Sequence, residues 1–289
     1  MRPSSLAVIG LGAIGGSVAW QARVAGISRV VGYARDRPDR VAAIKADAVD
    51  DIADDPLRAV AGADLVVLAT PPQSVIELLE TIAPALAPGA LVTDVASIKL
   101  PIMQRAVRSG LAARFAGSHP YTGTHVAGWN GARPDRLTGA LVYVCSTGDT
   151  GETAASEVLD FWTGVFGAHA VRIDAARHDR QLGWTSHLPQ AVATALAHTL
   201  SQQQDLRGAS YGTGARDTTR LAASPAEMWA DILLLNRGPV LEALEHTREQ
   251  LGRMHDLLTH GDQEGLVRYL ETAANFRRAL ERDGMSGEG

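Results

Sequence analysis

The chain is predicted to join a doubly wound parallel α/β sheet to an all-α half, and three observations predict it. Short β-branched runs alternate with helical stretches over the first 174 residues, the pattern of strands wound with helices on both faces. After Asp174 the apolar residues recur at helical spacing, with almost no strand signal. Between the first run and the first helical stretch stands Gly10-Leu11-Gly12-Ala13-Ile14-Gly15, a spacing found in dinucleotide-binding turns. These features mark a Rossmann-type domain at 1–174 and a helical substrate and dimerisation domain at 175–289.

Strands are expected at Leu6–Ile9, Arg29–Tyr33, Asp64–Thr70, Ala90–Val95, Arg114–Gly117, Ala140–Cys145 and Ala170–Ile173. Several are apolar without alternation, as strands covered on both faces are. Helices are expected at Ile14–Ala25, Ser74–Leu86 and 152–167. In the second half Leu182, Leu188, Val192, Leu196 and Leu200 mark one helical face. Met228, Ile232, Leu235, Val240, Leu244 and Leu251 mark another. A Gly-rich loop occupies 207–215, and the tail 284–289 is expected to be disordered. The helical faces have enough apolar positions to pack on one another or on a second copy, so a homodimer is expected.

Composition narrows the function classes. With 46% hydrophobic and 20% charged residues the chain reads as a soluble globular protein. No apolar run approaches the roughly 20 residues of a membrane span. Met1-Arg2-Pro3-Ser4-Ser5 lacks a signal-peptide core, so a cytoplasmic location is expected. The single cysteine, Cys145, excludes an intrachain disulfide framework and a cysteine metal cluster, and no metal site is expected. Cys145 itself is expected to be a small buried side chain. A net charge of −5 argues against nucleic acid and leaves a small molecule as the expected partner.

In the glycine fingerprint, Gly10 permits the turn, Gly12 lets backbone approach a pyrophosphate, and Gly15 lets helix and strand pack closely. The phosphates would meet the free N–H groups of Ala13, Ile14 and their neighbours. Thr70 and Pro71, at the end of another strand, are expected beside the same ligand. After the second strand comes Gly32-Tyr33-Ala34-Arg35-Asp36-Arg37. An acid there would bind the ribose hydroxyl of NAD, but Ala34 holds its place. Arg35 and Arg37 suit a 2′-phosphate, which favours NADP. Asp36 keeps NAD open, and a solvated turn is the plain reading of both arginines.

Gly117-Ser118-His119-Pro120 places an imidazole in a Gly/Pro-bracketed turn, where a neutral base can take a proton as hydride leaves. Asp94-Val95-Ala96-Ser97-Ile98-Lys99 follows a strand at the carboxyl edge of the sheet. Asp174 through Asp179, Ser186-His187-Leu188-Pro189-Gln190, and Arg216-Asp217-Thr218-Thr219-Arg220 with Met228-Trp229 complete the series. In this order the motifs resemble the prephenate/arogenate dehydrogenase family, and the resemblance covers nearly the whole chain. It implies an NAD(P)-dependent oxidative decarboxylation of a cyclohexadienol. Prephenate would give 4-hydroxyphenylpyruvate, or arogenate would give tyrosine. His119 would then be the proton acceptor and Ser97 the serine that orients it. Arg220 would hold a substrate carboxylate with Asp217 steadying it. His187, Gln190, Thr124 and His125 would line the substrate pocket.

Plainer readings stand beside these. Ser97 is a ready helix cap, Asp217 and Arg220 an i,i+3 ion pair, Trp229 a core residue and Lys99 a surface lysine. His178-Asp179 reads as a cap or as interdomain packing. The chain departs from many relatives at Thr122, His125 and Gln190, which leaves the substrate side chain open, an amino-substituted prephenate included. Hydroxyacid dehydrogenases of similar plan would show a catalytic lysine on the first interdomain helix, and no lysine follows Lys99. A non-catalytic NADP sensor is the alternative from another class.

Overall fold

The computed structural model describes residues 2–122, 126–203 and 210–285, with side chains to 282. Thr124, His125, the first part of the Gly-rich loop at 207–209 and the tail from 286 lie outside the described residues.

Eight strands form one sheet among these residues: β1 (Ser5–Ile9), β2 (Arg29–Tyr33), β3 (Asp51–Ile52), β4 (Leu65–Leu68), β5 (Leu91–Asp94), β6 (Phe115–Pro120), β7 (Leu141–Ser146) and β8 (His169–Arg172). Their order is β3-β2-β1-β4-β5-β6-β7-β8. β1, β4 and β5 are buried along nearly their whole lengths because helices cover both faces. One cluster gathers Leu6, Val67, Phe161 and Trp162; the other gathers Ile9, Leu68, Leu79 and Phe115. Each such side chain removed from water contributes about 1.5–3 kcal/mol.

Three differences from the expected sheet stand out. β7 runs antiparallel to β6, and among the described residues of the connection, 121–122 and 126–140, the one helical piece is a short 3-10 turn, Trp129–Gly131. A parallel return needs a crossover, usually a helix. β3 has two residues, too few for a periodic signal. β6 also extends past Gly117, so His119 sits within a strand opposite Tyr143 and not in a turn.

The helices that position the site are α1 (Ala13–Val24), α2 (Arg37–Lys45), α3 (Pro56–Val60), α4 (Pro72–Ile82), α5 (Leu100–Arg108) and α6 (Glu152–Phe166). They are followed by α7 (Ala175–Leu182), α8 (Leu188–Ser201), α9 (Thr213–Thr219) and α10 (Ala226–Leu235). α7 is capped by Asp174, whose side chain accepts the N–H of Arg177 at 2.8 Å. Its buried residues Ala175, His178, Asp179 and Leu182 share one face. A π-helical turn, Gly183–His187, joins α7 to α8. Pro189 has no N–H to continue a regular ladder, and the wider turn accommodates it.

By compactness the chain divides into Met1–Arg237 and Gly238–Gly289. The boundary expected at 174 is where strands give way to helices, but α7 to α10 belong to the same compact unit as the sheet. The second unit is a helical hairpin of the greater part of α11 (Arg237–Thr259) and of α12 (Gln263–Met285). Tyr269 donates to the carbonyl of Gln250 across it, and Asp262 caps α12 through the N–H of Gly265. Leu251, Leu258, Leu270 and Phe276 of this hairpin are exposed.

Candidate active site

The fingerprint turn joins β1 to α1 beside the end of β4. Gly10 has φ +100°, and a Cβ there would lie 2.4 Å from the carbonyl oxygen of Ala69. A Cβ on Gly15 would lie 1.9 Å from the carbonyl oxygen of Gly10. Both positions therefore require glycine. Gly12 faces open space, and no side chain caps α1 there. The first N–H groups of α1, at Ala13 and Ile14, thus point out of an uncapped helix end with no acid in its first turn. The Thr70 hydroxyl is buried without a partner beside this turn, and Pro71 is the N-cap of α4. An open backbone cradle plus an orphan hydroxyl fits a dinucleotide phosphate. Ala34 is buried at the end of β2. Arg35 is 92% exposed and reaches only Asp36, at 3.7 Å, and Arg37 opens α2 in the exposed layer.

The backbone that carries His119 is held by a buried ion pair. Asp94, at the end of β5, accepts the N–H groups of Ala96 and Ser118 at 3.0 and 3.1 Å. Lys99 donates its ammonium to Asp94 and to the carbonyl of Ser118, and it is fully buried. The surface lysine expected at 99 is therefore corrected: the chain turns back after β5 and carries the side chain under β6. Burial pushes the Asp94 carboxyl up, and Lys99 opposes that shift. The Ser118 hydroxyl pairs with Thr93 at 2.7 Å and accepts from the Trp162 indole at 2.9 Å.

His119 Nδ1 lies 2.9 Å from His178 Nε2, and His178 Nδ1 lies 2.8 Å from Asp179 Oδ1. The expected packing role of His178-Asp179 is present, since the Asp179 carboxylate accepts the N–H groups of Lys99 and Leu100 at the start of α5, while Asp174 and not this pair caps α7. Burial holds the His119 imidazole well below its ordinary titration range, with His178, Lys99 and His187 adding to the effect. Burial also lowers His178, opposed by Asp179. His119 is therefore neutral at pH 7, and among the described residues none hydrogen-bonds its Nε2.

Beyond the imidazole pair, Asn236 Nδ2 donates to the Asp179 carbonyl at 2.7 Å and to His187 Nδ1 at 2.9 Å. His187 is neutral too, its pKa lowered by burial to about 4. Its Nε2 is buried and unpartnered. Gln190 Nε2 donates to the Leu221 carbonyl at 2.9 Å, and its buried Oε1 has no partner. Trp229, half-buried rather than core, sets its ring edge-on to His187.

Other expected site residues stand apart from this group. Ser97 is half-buried in the loop after β5; it neither caps α5, whose N-cap is Lys99, nor hydrogen-bonds His119. Arg220 and Asp217 are exposed and make no ion pair with each other. The Arg220 segment is tied to α8 one residue on, where Leu221 accepts from Gln190. His178, Asp179 and Asn236 were missed as site residues. The signal for the first two was the sequence His178-Asp179 one turn after a capping Asp174, which puts both on the buried face of α7.

A family model described as "Prephenate dehydrogenase, nucleotide-binding domain" matches residues 18–171, and one described as "Prephenate dehydrogenase, dimerization domain" matches 174–272. A prephenate dehydrogenase of Bacillus subtilis is 31% identical over 285 residues, 96% of this chain and 76% of that protein. A cyclohexadienyl dehydrogenase of Zymomonas mobilis is 29% identical over 96% of both chains. The crystal structure of Aquifex aeolicus prephenate dehydrogenase, in complex with hydroxyphenyl propionate and NAD+, superposes with a TM-score of 0.87 at 27% identity, covering 96% of this chain and 98% of that one.

Proposed function

From the premise that this chain belongs to the prephenate dehydrogenase family, we propose that it oxidatively decarboxylates arogenate or prephenate with His119 as proton acceptor. The observation that carries this reading is the His119 imidazole: buried, neutral, anchored through Nδ1 and, among the described residues, without a partner at Nε2. A base of this kind takes the ring hydroxyl proton as hydride departs, an assistance typically worth about 10²–10⁴ in rate. When bound, a nicotinamide dinucleotide supplies the hydride acceptor. Loss of the ring carboxylate makes the ring aromatic, which drives the reaction forward.

This chain's residues hold the parts in place. Gly10, Gly12 and Gly15 shape the phosphate cradle, and Thr70 offers its orphan hydroxyl to it. Arg35, with no acid at 34, supports NADP over NAD. Arg220 is the candidate clamp for a substrate carboxylate, with Asp217 beside it, and Ser97 lies at the end of β5 on the cofactor side of the sheet. The exposed apolar residues of the α11–α12 hairpin, within and beyond the matched dimerization domain, support a homodimer.

Two orphan atoms support a reading of the substrate's side chain. Gln190 Nε2 is committed to a carbonyl, so its Oε1 is the unsatisfied acceptor. His187 Nδ1 accepts from Asn236, so its Nε2 carries the hydrogen and is an unsatisfied donor. Each buried orphan costs about 1–3 kcal/mol until a ligand meets it. An α-amino acid offers an ammonium to the first and a carboxylate to the second, whereas a keto acid offers acceptors alone. This supports arogenate as the preferred substrate.

The test is reduced-nicotinamide formation with arogenate and prephenate, each with NADP and NAD, by the parent and by His119→Asn. Turnover by the parent that is lost in folded, cofactor-binding His119→Asn is the expected result. Near-normal turnover by His119→Asn removes His119 from the mechanism.

A further inference from the structure

We infer that His178 is a positioning residue that selects which nitrogen of His119 is basic, and that with Asp179 it takes over the proton His119 abstracts; this rests on His119 being the proton acceptor. The direction of each hydrogen bond follows from the far end of the chain of groups. Asp179 Oδ1 accepts the backbone N–H of Lys99, and Oδ2 accepts that of Leu100, both at 2.8 Å. The carboxylate is thus an acceptor, and His178 Nδ1, 2.8 Å from Oδ1, carries a hydrogen. A neutral imidazole protonated at Nδ1 has a bare Nε2. That bare nitrogen lies 2.9 Å from His119 Nδ1, so the hydrogen between the rings belongs to His119. The lone pair of His119 is left on Nε2, the nitrogen that no described residue hydrogen-bonds. Two backbone amides at the start of α5 therefore set the tautomer of a base on β6, through one carboxylate and one imidazole.

The same chain carries the proton onward. As the substrate O–H bond breaks, a bond from that hydrogen to His119 Nε2 forms. The hydrogen on His119 Nδ1 then moves to His178 Nε2. His119 ends neutral, and the positive charge rests on His178, beside the Asp179 carboxylate. His119 itself is surrounded by groups that disfavour charge, Lys99 and His187 among them. At His178 burial and Lys99 also disfavour charge, but there the Asp179 hydrogen bond and the Asp179 and Asp94 carboxylates oppose them, and the ring of Tyr143 lies edge-on beside it. The rings of Tyr121 and Tyr143 flank His119, and neither phenol hydrogen-bonds to either imidazole.

The test combines a spectroscopic readout with kinetics on the full chain. In protein labelled with 15N-histidine, the His119 signals are identified by their loss in His119→Asn. The parent at neutral pH is expected to show His119 protonated at Nδ1 and bare at Nε2; the opposite tautomer overturns the inference. His178→Leu is expected to lose that tautomer and about 100-fold in kcat, with KM and dinucleotide affinity little changed. His178→Gln can accept from Nδ1 but cannot take a proton, so it restores the tautomer and only part of kcat. Folded His178→Leu with the parent's kcat sinks the inference even if His119→Asn is inactive. An active His119→Asn instead locates the failure in the role of His119. If His178→Leu does not fold, the parent spectrum and His178→Gln decide.

Discussion

Lys99 Nζ donates at 2.6 Å to the carbonyl oxygen of Ser118, and both residues are buried. The register of β5 with β6 ends at Thr93 and Ala116, so Ser118 has lost its neighbour on that side. The Asp94–Lys99 pair replaces the missing strand: Asp94 accepts the Ser118 N–H and Lys99 satisfies its carbonyl. His119, the next residue, is thereby fixed at the point where β6 leaves the parallel ladder.

That arrangement predicts a large penalty for removing one partner. Lys99→Met leaves Asp94 buried without its cation and the Ser118 carbonyl unsatisfied. Breaking a buried pair in this way costs about 3–5 kcal/mol. Urea unfolding of Lys99→Met and of Asp94→Asn/Lys99→Met measures it. The double variant is expected to recover part of the loss, since no unpaired charge remains. Equal stability of Lys99→Met and the parent contradicts the structural role.

The second prediction concerns the dinucleotide. Arg35 has no partner closer than Asp36 at 3.7 Å, so its guanidinium is available to a 2′-phosphate. Replacing it with Ala is expected to raise KM for NADP about tenfold or more and to leave KM for NAD nearly unchanged. Equal weakening of both would assign Arg35 to some other part of the cofactor.

Much of this was legible in the chain and some was not, for reasons that differ by residue. The turn at Gly10–Gly15 is governed by local sterics, so spacing alone announced it. β2 was placed to the residue because Arg29–Tyr33 is bounded by turn residues on both sides. The direction of β7 was not legible, since a 20-residue connection does not state which way the chain returns. The partnership of His119 with His178 joins positions 59 apart in sequence, on a strand and a helix, and no periodicity reports it. Lys99 was misjudged because lysines are almost never fully buried unless paired, and its pairing is a tertiary fact.

Acid should weaken the fold through His187. Its pKa of about 4 lies below the ordinary 6.5, because burial disfavours the imidazolium. Between these values the unfolded chain binds more protons than the folded one, so stability rises with pH across this window and is lost as pH falls through it. A shift of this size corresponds to about 3 kcal/mol when the pH has dropped below 4. His187→Asn keeps an acceptor for Asn236 but cannot charge. Its unfolding free energy, followed in urea from pH 7 to pH 4.5, is expected to fall less steeply than the parent's. Parallel slopes would mean that His187 does not titrate in this range.

The orphan acceptor on Gln190 should decide between the two substrates. Its Oε1 is buried, and its amide nitrogen is held by Leu221, so the group cannot flip to present a donor without breaking a 2.9 Å hydrogen bond. Gln190→Leu removes the acceptor at similar volume. A hydrogen bond to a charged group contributes about 1.5–3 kcal/mol, so kcat/KM for arogenate is expected to fall roughly 10- to 100-fold. Prephenate, which has no ammonium to lose, should change little. Gln190→Glu should shift the preference further toward arogenate, because a carboxylate attracts the ammonium and repels the keto acid. Steady-state kinetics of the parent and both variants with both substrates provide the measurement. A loss that falls equally on arogenate and prephenate would place Gln190 against a part of the substrate that the two share.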